Sequence, residues 1–285
     1  MNINKITLTL LLIFLSYWPH SHAQELIANI AKYHQNSTWQ KSTAIDLFVN
    51  FAEKANLKGN ERLLDVCAGD GKITATMGQL LPNGHIVGID ISPNMVAFAK
   101  QHYGEKQPNI TFEQKEATKL NYPQQFDVIT SFTCMHLIAN QKEVLKGIHA
   151  SLKSNGKLLM IFPVTHGFGH ALEKVTSSPK WQSYFKDFKP NWYFYNVKTY
   201  EQYLQETGFK SALVKITTQD ETYANRAVFQ DAISHWLAHL KVVPPNLREM
   251  FLDDLVTTYL QEFPVDKNGQ IHFYVDNLIV QASAI

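Results

Sequence analysis

The chain has 285 residues, with 26 lysines and arginines against 25 aspartates and glutamates, for a formal net charge of +1 at pH 7. That length holds one large domain, or one domain with additions. The three arginines, Arg62, Arg226 and Arg248, are scattered and form no basic stripe; contact with a phosphate backbone needs clustered cations, so no nucleic-acid partner is expected.

At the N-terminus, Lys5 precedes an apolar run over 6–18, and Ser21-His22-Ala23 supplies small residues at the positions before a cut. This order predicts a secretory signal peptide over 1–23, cleaved after Ala23. The run is shorter than the roughly 20 residues of a membrane span. An exported protein, periplasmic or secreted, is expected, touching a membrane only through this segment. An uncleaved anchor or a cytoplasmic location is the other reading.

Residues 25–55 read as helix in two pieces around a polar break at 33–40, with apolar residues at helical spacing from 43 to 55. Strands over 62–67, 85–90, 110–114, 126–132 and 156–162 then alternate with helices over 72–80, 93–102 and 141–152. Such alternation predicts an α/β fold with a doubly wound parallel sheet, whose ligand lies beyond the carboxyl ends of the strands. Residues 165–207 are a candidate helical lid, rich in aromatics from Trp181 to Tyr195 and ending in a helix stopped by Gly208. A satellite core beneath an inserted helix is the alternative there. A strand over 212–218, a helical excursion over about 225–265 broken by Pro244-Pro245, and a final strand over 271–282 complete one domain from 24 to 285.

The chemistry concentrates at R-L-L-D-V-C-A-G-D-G-K-I-T, from Arg62 to Thr74, and at H-I-V-G-I-D, ending on Asp90. A strand, a glycine turn, a helix and a second strand closing on an acid form half of a nucleotide-type cofactor site. The carboxylate can accept both hydroxyls of a ribose, and the glycines keep side chains off the cofactor. A dinucleotide site wants a third glycine where Thr74 stands, and no phosphate loop of the G-x-x-x-x-G-K-[ST] type is present. S-adenosylmethionine, which has a ribose but no pyrophosphate, fits the turn better.

The pattern D-x-C-x-G-x-G, from Asp65 to Gly71, resembles motif I of class I S-adenosylmethionine-dependent methyltransferases. Gly88-Ile89-Asp90-Ile91-Ser92-Pro93-Asn94-Met95, Glu116-Ala117, the run from Phe126 to Ser131, and Leu152 to Leu159 match later motifs of that family in order. The resemblance implies a seven-stranded Rossmann-like sheet with its last strand antiparallel, plus helical additions. It implies S-adenosylmethionine as cofactor, held by Asp65, Cys67, Gly69, Gly71, Asp90, Ile91, Met95, Glu116, Ala117 and Ser131. Asp65 is expected near the methionine ammonium or its waters. Cys67 stands where the family has a glycine, and Glu116 where it has Asp.

The helical excursion, the D-x-N-G turn before the last strand, and Tyr33 with Gln40 are similar to the trans-aconitate and juvenile hormone acid methyltransferase group. That likeness implies a small-molecule acceptor methylated on oxygen, a carboxylate first and a hydroxyl second. His136 matches the group's L-H-W, with Leu137 in place of the aromatic. His136 is the candidate base that a hydroxyl acceptor would need, since imidazole is readily poised near neutral pH. A plain backbone hydrogen bond is its other reading. Gln40 is the second candidate, as a donor to acceptor or cofactor or as a helix-cap residue. Cys67 and Cys134 would then sit on neighbouring strands near the cofactor edge. Two free thiols are expected, because a disulfide demands specific geometry and would distort the site. His235/His239 and His166/His170 have four-residue spacing, but a zinc site needs a third ligand, so no metal is expected. A fold retained without catalysis, as an exported interaction module, is the alternative function. Nothing in the sequence sets the oligomeric state.

Overall fold

The computed structural model describes residues 38–284, together with Ile30 and His34. The expected signal segment and Tyr33 lie outside the described residues. So does the side chain of Gln40, whose backbone belongs to the helix labelled α1 (Thr38–Ala55). Ala44, Phe48 and Phe51 recur at helical spacing on α1 and are buried, which is what holds it to the sheet.

Seven strands form one sheet: β1 (Arg62–Val66), β2 (His85–Asp90), β3 (Ile110–Gln114), β4 (Phe126–Phe132), β5 (Leu152–Pro163), β6 (Lys210–Tyr223) and β7 (Ile271–Ser283). Their order is β3-β2-β1-β4-β5-β7-β6. The first five pair in parallel, and β7 runs antiparallel to both β5 and β6. The strand order reverses direction between β1 and β4, which is where a fold of this kind opens a crevice.

Helices cover both faces. Leu64, Val66, Leu158 and Met160 look into one core, with Val144 and Ile148 of α4 (Gln141–Ser151) and Tyr200 and Leu204 of α7 (Val197–Glu206). Leu63, Leu159 and Ile161 look the other way, onto Phe48 and Met77, the latter from α2 (Lys72–Leu80). Burial on both faces explains why these strands read as continuous apolar runs. α3 (Pro93–Ala99) starts under Ser92, whose hydroxyl accepts from Met95 N at 3.3 Å, and continues as a π-turn over Lys100–Gly104.

A further core lies past the carboxyl end of β5. Pro163 is the last β5 residue to pair, opposite Asn277, while β6 and β7 continue as a two-stranded ribbon to Tyr223 and Ile271. On that ribbon pack α5 (Ala171–Thr176), α8 (Arg226–Ser234) and α9 (Arg248–Glu262), burying Phe168, Trp181, Phe229, Phe251, Tyr259 and Phe273. The early part of the aromatic segment is thus a satellite core. Its later part, Trp192 to Tyr195, follows the short α6 (Gln182–Phe185) and stays half-buried.

The strand boundaries that depart most from the sequence reading are in β5 and β6, and α1 starts at Thr38, within the expected polar break. β5 begins at Leu152, because Leu152 pairs with Phe126 before the register slips; Asn155, at φ 63°, absorbs the slip. β6 is 14 residues long. Its upper half is an edge strand with a polar outer face, so no apolar alternation marks it. Among the described residues no helix is long and apolar enough to cross a membrane.

Candidate active site

β1 ends at Val66, and the chain turns sharply through Cys67 (φ 62°), Gly69 (φ 56°) and Gly71 (φ 82°). Ala68 N donates to Ile89 O at 2.8 Å, tying the turn to β2. Gly69 N donates to one oxygen of Asp90 at 3.0 Å, and Ser92 N to the other at 2.8 Å. Each carboxylate oxygen keeps a lone pair after that one bond. Burial raises the Asp90 pKa, and the two backbone donors oppose the rise.

The two glycines do different jobs. A Cβ on Gly69 would meet nothing within 4 Å among the described residues, which leave open space at the turn there. A Cβ on Gly71 would lie 2.7 Å from Ala99 Cβ and 2.8 Å from Phe112 Cζ, so Gly71 serves the packing of α2 against α3 and β3. Ile91, next to Asp90, leaves 65% of its surface exposed despite being apolar. Open space over a glycine amide, an acid with two free lone pairs and an exposed apolar side chain beside it fit an adenosyl group. Asp90 would hold the ribose hydroxyls, and Ile91 would lie against the base.

The remaining expected cofactor residues divide. Met95 is half-buried at the start of α3. Ala117 is packed into the core beside α4. Ser131 is wholly buried, and its hydroxyl has no partner. Glu116 is engaged locally: Thr118 donates to it at 2.5 Å and Lys119 pairs with it at 2.6 Å. Asp65 lies next to the last residue of β1. Its carboxylate is 2% exposed and accepts from Thr74 Oγ1 at 2.6 Å and Thr130 Oγ1 at 3.0 Å. It braces the turn against β4, and burial pushes its pKa up to about 6.

Thr74 had signalled only that the dinucleotide pattern fails; here it is the brace's main donor. Asp70 and Lys72, within the turn, are also buried, and their charged ends lie 3.4 Å apart. Burial lowers the Lys72 pKa, and Asp70 opposes that. The variable positions of a glycine motif carry no pattern of their own, so sequence reading passed over them.

The expectation of free thiols is overturned. Cys67 and Cys134 are joined by a disulfide with a Cα separation of 6.1 Å. Both flanking loops turn back through left-handed residues, Cys67 itself and Thr133 (φ 55°), which brings the two Cβ atoms together.

His136 lies in a 3₁₀ turn (Met135–Leu137) just past β4. Its carbonyl accepts from Tyr193 N at 2.7 Å, and its Nδ1 is buried without a partner. Burial pulls its pKa down to about 4, so it is neutral across the physiological range and not poised near pH 7. From His136 a row of rings leads away. Phe194 stacks on it at 6.4 Å, Trp192 lies 6.0 Å from Phe194, and His166 and His239 lie 5.9 and 5.4 Å from Trp192. His239 is 6% exposed, its Nδ1 has no partner, and burial with the charge of His166 brings its pKa to about 4. Among the described residues the row is made of rings and neutral imidazoles, and none of its members carries a permanent positive charge. His235 turns instead to Asp231, at 3.5 Å. Among the described residues no three potential ligands cluster to hold a metal.

A family model described as a methyltransferase domain matches residues 57–233. A putative methyltransferase of Invertebrate iridescent virus 6 is 24% identical over 88% of this chain and 92% of its own. Juvenile hormone acid O-methyltransferase of Drosophila melanogaster is 29% identical over 70% of each. The YcgJ protein of Bacillus subtilis superposes with a TM-score of 0.60 at 17% identity, covering 85% of this chain and 98% of that one. Phosphoethanolamine N-methyltransferase 2 of Haemonchus contortus, solved with S-adenosylhomocysteine, superposes at 0.55 with 19% identity, covering 85% and 52%. The chain belongs to the methyltransferase domain family and is an S-adenosylmethionine-dependent methyltransferase with the Rossmann-like sheet of that class.

Proposed function

We propose that the enzyme methylates an oxygen of a small, largely apolar acceptor, a carboxylate first and a hydroxyl second. The observation that carries this reading is the ring-lined row beginning at His136. Aromatic and imidazole walls stabilise an apolar body by burial. A phosphorylated acceptor, such as the one in the name of the phosphoethanolamine relatives, would want a cation that the row lacks. When bound, S-adenosylmethionine supplies a methyl group already activated by its sulfonium charge. The protein's part is to align the acceptor oxygen and exclude water, which can be worth several kcal/mol. A carboxylate acceptor needs no base, so a neutral His136 suffices as a hydrogen-bond partner that orients it. Gln40 is a second orienting candidate, and of the expected lid the half-buried stretch 192–195 is the part left to cover the acceptor.

The test is release of S-adenosylhomocysteine from a panel of acceptors. Apolar aliphatic and aromatic acids should turn over, and phosphoethanolamine should not. Turnover of phosphoethanolamine with none of the acids would reject the reading. We also read residues 1–23 as an export signal, and the paired cysteines are in keeping with an oxidising compartment. The mass of the mature N-terminus tests that reading; a chain retaining Met1 would overturn cleavage.

A further inference from the structure

The paired ladder between β1 and β4 runs from Leu63–Val128 to Asp65–Thr130 and then stops. Beyond it the two strands part at the reversal of strand order, the place where a fold of this type holds its ligand. Thr130 and Asp65 close the floor of the gap by their 3.0 Å hydrogen bond. Above that floor the Cys67–Cys134 disulfide spans the gap. Cys67 lies two residues before Gly69, the amide that holds Asp90. Cys134 lies two residues before His136, whose carbonyl holds Tyr193 of the aromatic segment. One covalent bond therefore links the turn on the cofactor side to the loop on the acceptor side.

We propose that this disulfide is a positioning element of the active site. It fixes the cofactor turn and the His136 loop at one separation, and methyl transfer depends on its oxidation state. The oxidised enzyme is the competent form. A dithiol reductant would break the Sγ–Sγ bond, becoming a disulfide itself as each cysteine sulfur takes a proton. The half-buried Cys67 is the sulfur open to attack, since Cys134 is only 6% exposed. With the bond gone, the covalent tie between the two loops is lost, and their approach must be ordered each time a ligand binds. A misplacement of about 1 Å at reacting groups can cost on the order of a hundredfold in rate. The proposal rests on His136 facing the acceptor, as read above, only for its rate consequence. Its consequence for cofactor affinity rests on the turn alone.

The experiment uses the full mature chain, oxidised, reduced with excess dithiothreitol, and reoxidised. Calorimetry measures S-adenosylhomocysteine affinity at a temperature where circular dichroism finds both forms folded. Reduction should weaken binding by about tenfold, as lost preorganisation predicts, and reoxidation should restore it. The Cys67→Ser/Cys134→Ser double variant should bind like the reduced enzyme and ignore the reductant. If the double variant does not fold, the reduced and reoxidised wild type carry the test alone. A readout of positioning is the His136 imidazole signal by NMR, whose titration should move up from about 4 towards 6.5 on reduction as the loop opens to water. Equal affinity and an unmoved His136 titration in both forms would overturn the proposal. So would two free thiols in protein matured under oxidising conditions. Failure of the acceptor reading would look different: no acid would turn over, while the effect of reduction on binding remained.

Discussion

At Asp90 the side chain serves the fold, and on the proposed reading it serves the cofactor as well. Its two backbone bonds fix the turn, and its spare lone pairs remain for a ligand. Gly69 and Gly71 allow the two roles to be separated. Ala at either position meets the strain of a positive φ, roughly 1 kcal/mol. Gly71→Ala additionally drives a methyl into Ala99 and Phe112, and such overpacking costs about 1–3 kcal/mol. Gly71→Ala should therefore lower the melting temperature well below that of Gly69→Ala, while Gly69→Ala should chiefly weaken S-adenosylhomocysteine binding. Equal melting temperatures for the two variants would contradict this division. His136 gives a second test at this scale. With its pKa near 4, the rate should show no acid limb around the ordinary imidazole value of 6.5. His136→Ala should lower kcat/KM by about tenfold or more, as expected when an orienting hydrogen bond is lost. A rate that rises through pH 6.5 in wild type and not in the variant would restore His136 as a titrating base. The motif residues were legible because glycine and acid each answer a geometric need. Thr74, Thr130, Asp70 and Lys72 were not, because their value lies in contacts across the turn.

At the level of elements, the parallel strands and their helices were readable from continuous apolar runs punctuated by glycine. In the antiparallel ribbon β7 was readable too, but the upper half of β6 was not. Its residues, from Thr217 to Tyr223, are polar, and what holds them is pairing with β7: Thr218 Oγ1 donates to Asp276 at 2.6 Å, and His272 lies 2.8 Å from Asp220. The ribbon's inner face carries Phe273, which is 2% exposed and packs on Phe168, Phe229 and Tyr259. Gly167, at φ 78°, comes so close that a Cβ there would lie 2.5 Å from the Phe273 ring. Phe273→Ala should cost about 3–5 kcal/mol and loosen the helices around the ring row. Urea unfolding measures this. A loss below about 1 kcal/mol, the level of an exposed site, would mean that the satellite core does not support the fold.

For the whole molecule, buried ionisable groups pull stability in opposite directions with pH. Burial lowers His136 and His239 from 6.5 to about 4. Their contribution is complete above about 6.5 and is lost as pH falls towards 4. Glu221 is 7% exposed and accepts from Tyr223 Oη at 2.6 Å; burial raises its pKa from 4.5 to about 7. Its contribution is complete below about 4.5 and is lost as pH rises through 7. Glu221→Gln should therefore gain stability over wild type between about pH 5 and pH 8, on the order of 1–3 kcal/mol. A variant that tracks wild type at both pH values would contradict the burial of this acid. None of these opposing terms could be read from composition, because each depends on which side chains the folded chain encloses.

The most direct measurement is a calorimetric titration of the oxidised chain with S-adenosylhomocysteine, beside the same titration of Asp90→Ala. Charged hydrogen bonds of about 1.5–3 kcal/mol lead to a loss of affinity of tenfold or more when the carboxylate is removed, with the variant still folded by circular dichroism. Equal affinity for the two proteins, or no binding to folded wild type, would contradict a donor held between the Gly69 turn and Asp90.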